Sequence, residues 1–223
     1  MRWGAVLAVK PLPEAKSRLD GAADDRSALV LAMLADVLAA TAAAEMTTVV
    51  VTPDPRIAAA ARASGALTAD EPGGGLNAAF AHGQREFAAR APAPRSVMFL
   101  QADLPAVTAT DLRAAIAAHD HATGHDHPQS FVADHSGGGT AALLRPVDVD
   151  APPLFGPDSA ARHRAADVVE IGAADQWAGL RTDVDTLADL ARAARVGVGP
   201  ATAAWLAARE QPATGCGSGG HGA

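Results

Sequence analysis

The strongest constraint on how this chain folds is an alternation of two periodicities. Short apolar runs of strand length, "WGAVLAV" (3–9), "TTVVVTP" (47–53) and "RSVMFLQAD" (95–103), are separated by longer Ala/Leu stretches of helical character. Those stretches include "RSALVLAMLADVLAATAAA" (26–44), "PRIAAAARASG" (55–65), "GGGLNAAFAHGQREFAARA" (73–91) and "TATDLRAAIAAHD" (108–120). Strand–helix alternation of this kind predicts an α/β fold, a mixed, mostly parallel sheet flanked by helices. Hydrophobic residues make up 49% of the chain but aromatics only 4%. The expected core is therefore Val, Leu and Ile on strands, with Ala-rich helices packed close.

Local signals refine this outline. Pro53 stops the second strand, Gly65 is expected to end a helix, and Thr108 or Thr110 to cap one. "GALTAD" (65–70) reads as a weak third strand. "SFVAD" (130–134) and "GTAALLRP" (139–146) read as a strand pair around the "SGGG" turn, and "DVVEIG" (167–172) as a further strand. "FGPDSAARHRAA" (155–166), "DVDTLADLARAARV" (183–196) and "GPATAAWLAARE" (199–210) supply three more helices. With no internal repeat and no clean linker, residues 1–210 are expected to form one domain. The Gly/Ser-rich tail, 211–223, is expected to be disordered.

Charge and cysteine usage exclude several classes. The net charge of −7 argues against a nucleic-acid or anionic-membrane surface. The one cysteine, Cys216, rules out an internal disulfide and a cysteine-based zinc cluster. No signal-peptide layout opens the chain, and no stretch reads as the roughly 20 apolar residues of a membrane span. A cytoplasmic location is expected. Against the acidic background, the basic loop "VKPLPEAKSRL" (9–19) stands out. It follows the first strand, and its Pro11 and Pro13 forbid a helix.

In parallel sheets, ligands sit beyond the carboxyl ends of strands. Polar segments occur there after Lys10, after Asp70 and at 101–103. Asp103 follows an apolar strand directly. Asp183 and Asp185 are two residues apart, so in extended chain both carboxylates face one side. Hard oxygen ligands of this kind suit Mg²⁺, which takes phosphate oxygens as further ligands. The competing reading makes Asp185 an N-cap. The turn at Gly75 leads straight into a helix, whose N–H groups could meet an anion. Asn77 offers a donor and an acceptor to a purine edge. Ser159 stands at a helix start; there either a small anion binds or Asp158 or Ser159 caps while Arg162, His163 and Arg164 stay solvated. The run "HDHATGHDHPQS", with His119, His121, His125 and His127, resembles a metal site. It is placed in a loop without a scaffold, and metal binding there is disfavoured.

Five ordered motifs, "AVKPLPEAKSRL", "LQADLPAV", "GGGTAALL", "FGPDSAARHR" and "GLRTDVDTLADL", resemble the phosphoenolpyruvate/2-phospho-L-lactate guanylyltransferases of coenzyme F-420 biosynthesis. The resemblance runs from about Ala5 to Ala208. It implies a Rossmann-like nucleotidyltransferase fold, similar to the molybdenum-cofactor guanylyltransferases, whose Gly-rich opening signature is absent here. Carried over, Asp103, Asp183 and Asp185 match the positions that hold divalent metal, with Mg²⁺ the expected cofactor. Lys10 matches the phosphate-loop lysine, with Lys16 and Arg18 nearby, and Lys10 and Asp103 are the catalytic pair. Thr140, Gly156 and Ser159 match positions that hold the three-carbon acid, and Gly75 and Asn77 fall in the guanine-side region. The implied partners are GTP and the phosphorylated acid, not nucleic acid or membrane. The resemblance leaves room for a homodimer and for transient hand-off to the downstream transferase. The Ala-rich composition favours phosphoenolpyruvate as the acid, with 2-phospho-L-lactate and phosphoglycerate left open at this stage. Also open are a sugar-phosphate nucleotidyltransferase, a glycosyltransferase using Asp183-x-Asp185, and a non-catalytic nucleotide-binding module.

Overall fold

The computed structural model describes residues 3–12, 23–89, 94–124 and 127–210. Lys16, Arg18, His125 and the tail from Gln211 lie outside them. The strands are β1 (Trp3–Ala8), β2 (Thr47–Val51), β3 (Leu67–Ala69), β4 (Ser96–Leu100), β5 (Ser130–Ala133), β6 (Thr140–Pro146) and β7 (Val169–Glu170). They form one sheet in the order β3-β2-β1-β4-β6-β5-β7. All pairings are parallel except those of β6, which runs against both β4 and β5. This is the mixed, mostly parallel sheet expected from the alternation.

The reversed strand sets the functional edge. Leu100 lies opposite Ala142 and Ala133 opposite Thr140, so β6 begins where its neighbours end. The loops after β1, β2, β4 and β5 therefore gather with Thr140 at one end of the sheet.

The helices are α1 (Ala23–Ala43), α2 (Pro55–Ala63), α3 (Leu76–Ala88), α4 (Ala109–Ala122), α5 (Ser159–Ala165), α6 (Ala178–Arg181), α7 (Leu187–Val196) and α8 (Pro200–Glu210). Alternate strand residues feed opposite core layers, as the two-residue period requires. Leu7, Val50 and Met98 pack on the α1 side with Met33, Leu34 and Val37. Val6, Val49 and Phe99 pack on the α3 side with Phe80 and Phe87. Gly83 lets α3 lie flush on the sheet, because a Cβ there would press into the side chains of Val6 and Val51.

Local caps follow the sequence signals. Thr108 caps α4 in a reciprocal box with Asp111, and Ser64–Gly65 closes α2, Gly65 at φ +80°. Three expectations need correction. Thr186, not Asp185, caps α7, in a box with Asp189. The His-rich run is not all loop, because α4 continues through His119 and His121 to Ala122. His119 is a core residue, its Nδ1 2.8 Å from Ser130 Oγ and its ring edge-on to Trp3. Finally, residues 25–43 of α1 are long and apolar enough to cross a membrane by length and composition, contrary to the sequence reading. Half of that window is buried inside the fold, and α1 packs against α2, α4, α8 and β2. Its apolarity is that of a core helix.

Two buried polar residues tie distant parts of the chain. Arg145 of β6, 1% exposed, donates to Gln84 Oε1 and the Ala151 carbonyl and stacks over Phe99; burial pushes its pKa down to about 10. Asp36 of α1 accepts from the Ala201 and Thr202 N–H groups, at 2.9 and 2.8 Å. It thus caps α8 from another helix. Asp36→Ala strands both N–H groups and is expected to cost about 2 kcal/mol in urea unfolding. Loss of amide-exchange protection should concentrate at Ala201 and Thr202.

Candidate functional site

Lys10 is exposed just past β1, held between two anchors. On one side the Val9 N–H continues the ladder to the Val51 carbonyl, at 3.0 Å. On the other the Leu12 N–H donates to Asp54 Oδ2, at 2.9 Å. Asp54 is also the N-cap of α2, its Oδ1 accepting from the Arg56 N–H at 2.8 Å. Burial alone would raise this carboxyl. The Leu12 and Arg56 N–H groups, with the Arg56 charge, hold it below its usual value. Over the described part of the loop, Leu12 is thus held by a carboxylate 42 residues away. The sequence signal at Asp54, an Asp-Pro pair opening a helix, identifies a cap but not its second client.

Next along the sheet, β4 ends and Asp103 follows. The Val184 N–H donates to the Asp103 carbonyl, at 3.0 Å, which docks the 182–186 segment beside Asp103. Val184 is fully buried, Asp183 partly buried and Asp185 exposed, and the charge of Asp185 reaches Asp183. Asp183 lies in a crowd of carboxylates. Burial first, then the charge of Asp103, and further Asp134 and Asp185, push its pKa up to about 6. His135 Nδ1 lies 3.3 Å from Asp183 Oδ1, and its Nε2 is 4.0 Å from Asp189.

Arg181 holds this cluster from below. It is 4% exposed, and its guanidinium donates to four backbone carbonyls, those of Ala133, Ile171, Gly172 and Gln176. These include the carbonyl of the last residue of β5 and two just past β7, buried acceptors that need donors. The Arg181 carbonyl in turn accepts the His135 N–H, at 2.8 Å. Arg181 and His135 were not singled out from sequence; an Arg two residues before an acidic pair reads as a solvated charge.

The third part of the site is built on β6 and α5. Thr140 is buried, its Oγ1 2.9 Å from His163 Nδ1. The Ala160 N–H donates to the Gly138 carbonyl and the Ser159 N–H to the Gly156 carbonyl, which draws the 156–160 segment onto the glycine turn before Thr140. Gly156 sits at φ +123°, a conformation that favours glycine. Thr140, Gly156 and Ser159 are thus brought together. The expectation of solvated basic residues fails for His163, which is 1% exposed, while Arg162 and Arg164 are exposed. Asp158 is the N-cap of α5, with left-handed backbone and no side-chain cap bond.

Gly75 caps α3 with φ +81°, following Gly73 and Gly74 in the same region. Asn77 does not offer its edge to a purine. Its Nδ2 donates to the Phe155 carbonyl at 3.0 Å, and its Oδ1 accepts the Phe155 N–H at 2.8 Å. Both amide atoms are committed to the main chain beside Gly156.

Among the described residues, no group of three or more His, Cys, Asp or Glu side chains is arranged to hold a metal ion. The donor chemistry nonetheless fits a cation that keeps its own waters. Mg²⁺ needs only one or two carboxylates, with phosphate oxygens completing its shell. Of the charges around Asp183, that of Asp103 acts on it most strongly, and that of Asp185 also reaches it.

Comparison with known proteins places this geometry. The family model described as "Guanylyl transferase CofC like" matches residues 4–150. A phosphoenolpyruvate guanylyltransferase of Geodermatophilus obscurus is 44% identical, over 94% of this chain and 96% of its own. Proteins of that name from Streptomyces coelicolor and Mycobacterium sp. (strain KMS) are 46% and 47% identical. The Streptomyces protein is matched over 97% of its length and 94% of this chain, the Mycobacterium protein over 88% and 89%. Among solved structures, a Desulfovibrio desulfuricans G20 protein described as a nucleotide-diphospho-sugar transferase superposes with a TM-score of 0.70 at 18% identity, over 94% of this chain and 96% of that one. A Leptospira borgpetersenii cytidylyltransferase superposes with a TM-score of 0.53 at 11% identity, over 85% and 83%. These two show the nucleotidyltransferase-type fold. The matches over most of the chain show that this protein belongs to the CofC-like guanylyl transferase family.

Proposed function

We propose that this enzyme transfers GMP from GTP to phosphoenolpyruvate, releasing pyrophosphate, as a step of coenzyme F-420 biosynthesis. The names of the relatives support phosphoenolpyruvate over 2-phospho-L-lactate. The observation that carries the reading is the pairing of opposite charges on neighbouring strand ends. Lys10 follows β1, and Asp103, with the 182–186 segment that carries Asp183 docked beside it, follows β4, the parallel neighbour of β1.

In this reading Lys10, with Lys16 and Arg18, meets the triphosphate, and the glycine turn ending at Gly75 presents N–H groups to the nucleotide. Thr140, Gly156 and Ser159 receive the acid. A phosphate oxygen of the acid attacks the α-phosphorus of GTP in line; that P–O bond forms as the α–β bridge breaks, and pyrophosphate leaves with the electron pair. The attacking phosphate is already ionised at neutral pH, so the protein supplies position and charge, and no general base. Asp103, Asp183 and Asp185 would hold Mg²⁺, which when bound neutralises the phosphate oxygens. The repulsion stored around Asp183 supports this assignment, because a cation relieves it.

The direct test supplies Mg²⁺ and GTP with phosphoenolpyruvate, 2-phospho-L-lactate or phosphoglycerate and measures pyrophosphate. Release dependent on phosphoenolpyruvate is expected, and no release with any acid overturns the proposal. Lys10→Ala is expected to lower kcat/KM by roughly 10²–10³-fold with an unchanged circular dichroism spectrum. Surviving activity would remove Lys10 from the site.

A third prediction concerns Asp183. Its pKa is raised in the fold, to about 6 from 3.8, so the native state holds more protons than the unfolded one. Stability therefore falls as pH rises from about 4 to 6, and the cost is fully present above that. Without divalent metal, Asp183→Asn should raise stability at pH 7.5 by on the order of 1 kcal/mol, and the gain should shrink toward pH 4.5. The same variant should lose turnover. Melting curves in chelator at both pH values check the sign.

A further inference from the structure

We infer that His163 sets the polarity of Thr140: the ring Nδ1–H donates to Thr140 Oγ1, so the Thr140 O–H is left to donate to an anionic oxygen of the acid substrate. The inference rests on the acid-side role proposed above for Thr140.

A neutral imidazole has one N–H donor and one lone-pair acceptor, and which nitrogen carries the proton follows from what each one meets. His163 Nδ1 lies 2.9 Å from Thr140 Oγ1, a hydroxyl able to play either role. His163 Nε2 is buried and has no hydrogen-bond partner among the described residues. Its surroundings are apolar, with Phe131 stacked on the ring at 5.3 Å and Phe155 edge-on at 5.8 Å. A proton on Nε2 would be an orphaned buried donor, which folded proteins avoid more strictly than an under-used acceptor. The proton therefore belongs on Nδ1.

The ring carries one proton and not two. Burial, then the charge of Arg162, and with it that of Arg145, push its pKa down to about 4. His163 is thus a fixed donor near neutral pH. Thr140 Oγ1 accepts from it, and the one O–H of that hydroxyl is available for a ligand. The opposite tautomer would consume the O–H on the ring and turn lone pairs toward an anion. His163 touches no substrate in this scheme and is a positioning residue.

The test has a spectroscopic arm and a kinetic arm. Long-range ¹⁵N–¹H correlation on the ¹⁵N-labelled wild-type protein at pH 7.5, with His163 assigned by its absence from His163→Asn, reads the tautomer directly. A protonated Nδ1 and a pyridine-like Nε2 are expected. A protonated Nε2 overturns the inference whatever the variants do. Kinetically, His163→Leu keeps apolar bulk and removes the donor. It should raise KM for phosphoenolpyruvate by roughly 10-fold or more, the scale of one hydrogen bond to a charged group, with KM for GTP unchanged. His163→Asn places an amide N–H near the Nδ1 position and should recover most of that loss. Thr140→Val should match His163→Leu, and the double variant should be no worse than Thr140→Val alone. If Thr140→Val leaves KM for phosphoenolpyruvate unchanged, the acid-side role of Thr140 fails, and this inference with it. If Thr140→Val raises KM while His163→Leu does not, the inference alone fails.

Discussion

Because β6 runs against both β4 and β5, a strand begins at Thr140 where two others finish at Leu100 and Ala133. A wholly parallel sheet would send the start of that strand to the far end of the domain, away from Lys10 and Asp103. The reversal comes from the tight 134–139 turn, in which Asp134 Oδ1 accepts from both the N–H and the hydroxyl of Ser136. A two-strand hairpin needs only such a turn, whereas a parallel return needs a crossover helix. The acid-side residues and the carboxylates therefore share one edge because of a local turn. That turn also supplies Asp134, one of the charges that raise Asp183.

Holding four carboxylates near one another costs the fold stability, and main-chain bonds resist their separation. Val184 is locked to Asp103 through the backbone, with its side chain in the core, so Asp183 cannot swing away without unburying Val184. Arg181 contributes by satisfying main-chain carbonyls at the ends of β5 and β7. Among the described residues, His135 Nδ1 lies 3.3 Å from Asp183 Oδ1. Sites of this kind trade stability for a charge that a ligand must answer.

What could be read from the sequence was what is local in it. Strand runs, the Gly65 helix end, the Thr108 cap and the 130–146 strand pair are each specified within a few residues. Asp103 was legible because it follows an apolar strand directly, and Asp183 and Asp185 as an acidic pair just before a helix. The contacts that were not legible join residues far apart: Leu12 to Asp54, Asn77 to Phe155, Asp36 to Ala201. Nothing in the composition around Asn77 distinguishes an amide facing a purine from one spent on a peptide. The His-rich run was read as a loop without a scaffold, but helical continuation to Ala122 turned His119 into the core, against Ser130 and Trp3.

The Asn77–Phe155 pair has a consequence for how two substrates meet. Asn77 follows Gly75 at the start of α3, and Phe155 precedes Gly156 at the start of the acid-side segment. Two hydrogen bonds across 78 residues join these segments as a strand pair would, so neither can shift without the other. Phe155 then carries its ring to Phe80 on one side and to His163 on the other, at 4.6 and 5.8 Å. The glycine turn proposed for the nucleotide and the Thr140–His163 pair proposed for the acid are therefore fixed to one apolar body. In-line attack of one phosphate on another demands a set distance between two bound anions. In the proposed reading that distance would be set by packing around Phe155, which sequence alone presents as one more apolar residue before a turn.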